Sequence, residues 1–165
     1  MLFRSPAENG EDTLSHRIES LNEVRLFEDI RNLPGAIDDL AKLMKVQSYA
    51  ANEAIIKEGD VGDSAFFLIR GAVRVLKSIA GGETFPVALL DAKDHPFFGE
   101  AALVASDKRS ATIRTDQECM CLILEKSAFD AFCAANPQWA LPIVLRIGKV
   151  VVERDRKSTR LNSSH

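Results

Sequence analysis

Histidine and cysteine are scarce in this 165-residue chain, at three each. His16, His95 and His165 are scattered, so the clustered imidazoles that a β-barrel metalloenzyme needs are missing and no metal site is expected. Cys119, Cys121 and Cys133 are too few for a disulfide framework; the first two, two positions apart in an apolar run, read as reduced thiols on one face of a buried strand. A basic excess is also lacking. Lys and Arg number 21 against 24 Asp and Glu, a net charge of −3, which argues against direct nucleic-acid binding while leaving room for one small basic pocket around a single phosphate. No apolar run approaches the ~18–20 residues of a spanning helix and no signal peptide precedes the chain, so no membrane insertion and a cytoplasmic location are expected. There is no nucleophile–base pair with a supporting acid and no Walker loop, so neither catalytic residues nor an enzyme is expected. What remains, 46% apolar and 27% charged, is the balance of an ordinary globular chain of one-domain size.

Both ends stand apart from the rest. Residues 155–165 read DRKSTRLNSSH, polar and without periodicity. They resemble a translated short-read sequencing adaptor, as does LFRS at Leu2–Ser5. The expectation is that residues 1–5 and 155–165 are adaptor-derived, that the natural segment runs from about Pro6 to Arg154, and that a partner domain is absent from this chain.

Between those ends the texture changes twice. Leu14, Ile18, Leu21, Leu26, Phe27 and Ile30 recur at helical spacings within 12–31, Leu33-Pro34-Gly35 interrupts, and Ile37, Leu40, Leu43 and Met44 resume the pattern, giving a helical lead-in over 6–44. Short runs rich in β-branched and aromatic residues follow at 54–58, 65–69, 72–79, 84–90, 111–115 and 119–125, separated by Gly- and Asp-rich turns. Without helical crossovers, such strands over 45–125 point to an antiparallel barrel or jelly roll. Helical spacing returns over 126–154. Ser127 is placed to cap a helix through Ala135, Asn136-Pro137 stops it, and a second helix runs from Gln138 to Arg154 with Pro142 near its start. Ala140, Val144, Ile147 and Val151 form a stripe on that second helix, a candidate seam for a homodimer or a hinge to a further domain.

The chemistry concentrates in Phe98-Gly99-Glu100-Ala101-Ala102-Leu103 and Arg109-Ser110-Ala111-Thr112. Glycine lets the backbone approach a ligand closely, and successive N–H groups at a helix start cradle an anion. Arginine is suited to forked phosphate recognition, and a glutamate beside such a cradle suits sugar hydroxyls better than an anion. Together they describe a site for a ribose and a phosphate. Phe66, Phe67 and Phe85 read as core, Trp139 as helix packing, and His95 as a loop residue.

This pattern resembles the phosphate-binding cassette of cyclic nucleotide-binding domains, the family of catabolite activator proteins and kinase regulatory subunits. The run IIKEGDVGDSAFFLIRGAVRV, with Gly59, Gly62 and Gly71 at its turns, is similar to that family's first strands. The resemblance covers about residues 26 to 154. It implies a mainly β fold with flanking helices, a double-stranded β-roll of jelly-roll type with N-terminal helices and two C-terminal ones. It implies that Arg109 pairs with the cyclic phosphate, that Glu100 accepts from the ribose 2′-hydroxyl, and that the amides of Gly99, Glu100, Ala101, Ala102 and Ser110 cap phosphate oxygens. No cofactor is implied beyond the ligand, a cyclic purine nucleotide, cyclic AMP ahead of cyclic GMP, with Ser110 bearing on that choice. Lys93-Asp94-His95-Pro96-Phe97 makes the approach to the cassette longer than in many members. An interaction-only domain of this fold is disfavoured by the intact Arg109–Glu100 pair, and a cupin-like enzyme by the scattered histidines.

Overall fold

Two four-stranded antiparallel sheets lie face to face, and helices cover the outer side of one of them. The computed structural model describes residues 13–106 and 108–163, with backbone alone from 157 onward. The adaptor-like Leu2–Ser5 and the last two residues lie outside the described part. Helix α1, Leu14–Asn22, begins at Thr13, whose hydroxyl accepts from the His16 N–H. A 3-10 turn at Arg25–Phe27 and helix α2, Ala36–Leu43, complete the lead-in. The strands are β1 Lys45–Tyr49, β2 Ala54–Ile56, β3 Ser64–Arg70, β4 Ala72–Ser78, β5 Thr84–Asp91, β6 Phe97–Phe98, β7 Thr112–Thr115 and β8 Cys119–Glu125. Helices α3, Lys126–Ala135, and α4, Pro137–Ser163, end the described chain.

The sheets run β1-β8-β3-β6 and β2-β7-β4-β5. Side-chain alternation along β3 and β8 explains their unbroken apolar runs. Phe66, Leu68, Cys119, Cys121 and Ile123 point into the space between the sheets, whereas Ala65, Phe67, Leu122 and Leu124 point out to the helices. A strand buried on both faces has no polar side to show. Two cores result, with β3 and β8 shared between them. Strands β1 and β6 carry no sequence signal of that strength. In Lys45–Tyr49 only Val46 and Tyr49 are apolar, and β6 has two residues.

The C-terminal region departs from expectation in four ways. Ser127 lies inside the first turn of α3, and the cap position is Glu125, whose side chain makes no capping bond. Pro142 is the sixth residue of α4, where its missing N–H removes a ladder bond from within the helix. The helix runs through the polar tail to Ser163, so 155–163 continue the element. The stripe expected to meet a partner faces inward: Ala140 and Ile147 are buried, Val151 packs on the helical core, and Ile143 joins them, leaving Val144 at the edge. Arg146 ties α4 to the lead-in through Asp29 at 2.8 Å and Glu28 at 3.5 Å. No helix among the described residues is long and apolar enough to cross a membrane.

Candidate functional site

The segment after β2 is zipped to the segment before β7. The Arg109 N–H donates to Asp60 O at 2.7 Å, Arg109 O accepts from the Gly59 N–H at 2.9 Å, and Val61 bridges Lys108. This fixes the Arg109 backbone and sends its side chain back under the loop. There the guanidinium donates through NH1 to Gly99 O at 3.0 Å and through NH2 to Ser64 O at 2.8 Å, and lies 5.9 Å from the centre of the Phe66 ring. Two glycines leave the space it fills. A Cβ at Gly62 would overlap the guanidinium, and one at Gly99 would come within 2.7 Å of NH1. Burial pushes the Arg109 pKa down from its ordinary value, and Asp63 and Glu100 pull it back up. These bonds use two of its five N–H groups, so the fork retains donors for an anion.

Gly99 follows β6 in the left-handed region at φ 74°, which turns the chain into a 3-10 helix at Glu100–Leu103. The Ala102 N–H closes that turn on Gly99 O at 3.2 Å, so the N–H groups free of the helical ladder are those before it, at Glu100 and Ala101. Glu100 is 2% exposed, an unusual place for a carboxylate. Its Oε1 accepts from Arg154 NH1 at 2.5 Å, and its Oε2 is buried without a partner, an arrangement that costs about 1–3 kcal/mol unless a donor arrives. Arg154 also donates through NH2 to Phe97 O at 3.2 Å and stands 5.5 Å over the Phe97 ring.

An open cavity of about 810 Å³ adjoins this cassette, a size typical of small-molecule sites. Ile56, Val75, Leu90, Phe98 and Ile113 supply apolar wall, and Arg109, Ser110, Lys77, Ser78, Arg154 and Asp155 are polar. Strand β5 carries an irregularity here: Val75 pairs with Ala88 but Leu76 with Pro86, leaving Val87 as an extra residue. The bulge shifts the alternation, so Phe85 lines the cavity opposite Lys77 instead of standing on the outer face. Of the residues read from the sequence, Gly99, Arg109 and Ser110 line the cavity and Glu100 is buried beside it. Ala101 and Ala102 lie in the turn. Phe66 and Phe67 are core, whereas Phe85 is 39% exposed at the cavity. Trp139 packs on Phe132, ring centres 6.1 Å apart, in the first turn of α4. His95 ends a 3-10 turn at Ala92–Asp94 with φ 50°.

Sequence reasoning missed Arg154, Lys77 and the bulge. Arg154 had a signal, since it continues the inward series Ile147, Val151 at helical spacing. A charged residue where the stripe demands an apolar one calls for a partner.

The family model described as "Cyclic nucleotide-binding domain" matches residues 46–136. The cGMP-dependent protein kinase 2 of Mus musculus is 32% identical over 116 residues, covering 68% of this chain and 15% of that protein. A cAMP-dependent protein kinase regulatory subunit of Blastocladiella emersonii is 31% identical over 109 residues, 66% of this chain and 26% of that one. The chain therefore spans well under half the length of these curated relatives. A solved cyclic nucleotide-binding domain from Methylobacillus flagellatus shares the fold at TM-score 0.75, with 22% identity, 92% of this chain and 84% of that one covered. The β-roll, the glycine-framed arginine and the matched family model lead to one conclusion: the chain belongs to the cyclic nucleotide-binding domain family.

Proposed function

We propose that this chain is a sensor that binds a cyclic purine nucleotide, cyclic AMP ahead of cyclic GMP, and relays occupancy through α4 to a partner domain. The observation that carries the reading is the Arg109 guanidinium, threaded between Gly62 and Gly99 at the cavity wall with donors to spare. The cyclic phosphate lies against Arg109 and the Gly99–Ala101 backbone, and the ribose 2′-hydroxyl donates to Glu100, whose buried Oε2 lacks a donor. Ala102 shapes the turn and Ser110 faces the phosphate or the base. Ligand on this wall meets α4 directly through Arg154 and Asp155. Occupancy then favours one arrangement of that helix over another. The site reads out a ligand rather than transforming it. A second copy of the chain meets α4 along its outward apolar residues.

Calorimetry on the full chain tests the reading. Cyclic AMP is expected to bind with micromolar affinity, about −8 kcal/mol. No heat and no thermal shift at millimolar nucleotide would leave the domain an interaction module. Competition with both nucleotides on Ser110→Ala addresses selectivity. The change should weaken cyclic GMP more than cyclic AMP by roughly 0.5–1.5 kcal/mol, one net hydrogen bond. Equal losses would assign Ser110 to the shared phosphate.

A further inference from the structure

With Glu100 given to the ribose hydroxyl, the grip of Arg154 on the cassette calls for its own account. Arg154 comes from 54 residues further along the chain and grips the cassette at three points: Glu100 Oε1 at 2.5 Å, Phe97 O at 3.2 Å and the face of the Phe97 ring at 5.5 Å. These contacts straddle Gly99, the residue on which the cassette turns. The pair is lopsided. The Glu100 side chain is 2% exposed and that of Arg154 is 49% exposed, so a carboxylate locked in the fold is steered by a half-exposed cation on the later part of α4. One carboxylate oxygen is taken and the other is buried and unpartnered.

We propose that Arg154 is a positioning residue for ribose recognition. By holding Oε1 it leaves Oε2 to the 2′-hydroxyl, so the sugar and α4 bind the two oxygens of one carboxylate at the same time. The proposal rests on the cyclic-nucleotide reading. Its consequence is reciprocal: a docked α4 sharpens recognition of the hydroxyl, and the hydroxyl holds α4 down.

The test compares cyclic AMP with 2′-deoxy cyclic AMP on the full chain, as wild type, Arg154→Gln, Arg154→Lys, Glu100→Gln and the Arg154→Gln/Glu100→Gln double variant. Wild type should prefer cyclic AMP by about tenfold, the worth of one hydrogen bond to a charged acceptor. Arg154→Gln should erase most of that preference by weakening cyclic AMP while the deoxy analogue is nearly unaffected. Lysine should restore part of it, since it keeps the charge without the fork. The double variant should discriminate no worse than Glu100→Gln alone. Equal weakening of both nucleotides by Arg154→Gln would reduce Arg154 to a helix fastener, and tighter cyclic AMP binding would make it a competitor; either result overturns the proposal, as does an unchanged preference. Wild type that binds both nucleotides equally also overturns it while sparing the cyclic-nucleotide reading. Wild type that binds neither removes that reading and the proposal with it.

Discussion

Arg109 occupies a slot that exists because two residues have no side chain. The three atoms that an alanine Cβ at Gly62 would meet most closely all belong to the guanidinium, so the guanidinium gives way before the fold does. Gly62→Ala is therefore expected to leave the melting temperature within a few degrees of wild type while weakening cyclic AMP as much as a change at Arg109. Arg109→Lys sets the scale, replacing a fork with a point charge in a half-buried site at a cost on the order of 2–5 kcal/mol. Thermal melts and calorimetry on the two variants decide the matter. A Gly62→Ala protein with full affinity would show that the guanidinium need not sit in this slot, and one that fails to fold would show that Gly62 serves the loop instead.

Helix α4 spends its two faces differently. Ala140, Ile143 and Ile147 are buried against the lead-in and the roll, while Leu141, Leu145 and Val152 are exposed on the other side, with open space around Gly148. The spacing 141, 145, 148, 152 alternates four and three, that of a two-helix seam. The proposed second copy therefore belongs on this outward face, not on the stripe that sequence periodicity picked out. Leu145→Glu should convert a dimer to a monomer in sedimentation velocity at micromolar protein, with cyclic AMP affinity retained because Leu145 lies away from the cavity. Wild-type chain that sediments as a monomer at the same concentration removes the seam.

At the scale of the whole molecule, the inner core has an electrostatic consequence. Tyr49 and Cys121 both sit between the sheets. Burial pushes the Tyr49 hydroxyl far above its ordinary 10.0, with Cys121 and Glu53 adding to it, and burial pushes the Cys121 thiol far above 9.0, with Cys119 adding. Unfolding returns both to ordinary values. Above about pH 9 the unfolded chain sheds protons that the folded chain retains, so the contribution of these groups is complete below that range and is lost as pH rises through it. The urea midpoint should fall between about pH 8 and about pH 10.5, and Cys121→Ala should flatten part of that fall. A level midpoint across the interval would mean that the inner core admits water.

Local pattern determined much of this protein, because burial writes itself into period and composition. The double-faced apolar run Cys119–Glu125 could only be a central strand or a buried helix, and its β-rich neighbours and turn glycines decided for the strand. The cassette was equally legible, since glycine, acid and arginine at that spacing carry a local chemical logic. Tertiary structure decided what depends on distant partners. Lys45–Tyr49 becomes a strand because β8 offers it an edge, and Phe85 turns to the cavity because Val87 is extra in the register with β4. The polar residues 155–163 stay helical although the reading ended the helix at Arg154, Arg154 reaches Glu100 because the fold lays α4 beside the cassette, and packing, not periodicity, chose which of its two apolar stripes was buried. A helix carries its own hydrogen bonds, so polarity alone does not stop it. Which face it buries depends on the surface it meets, and no window of its own sequence contains that surface.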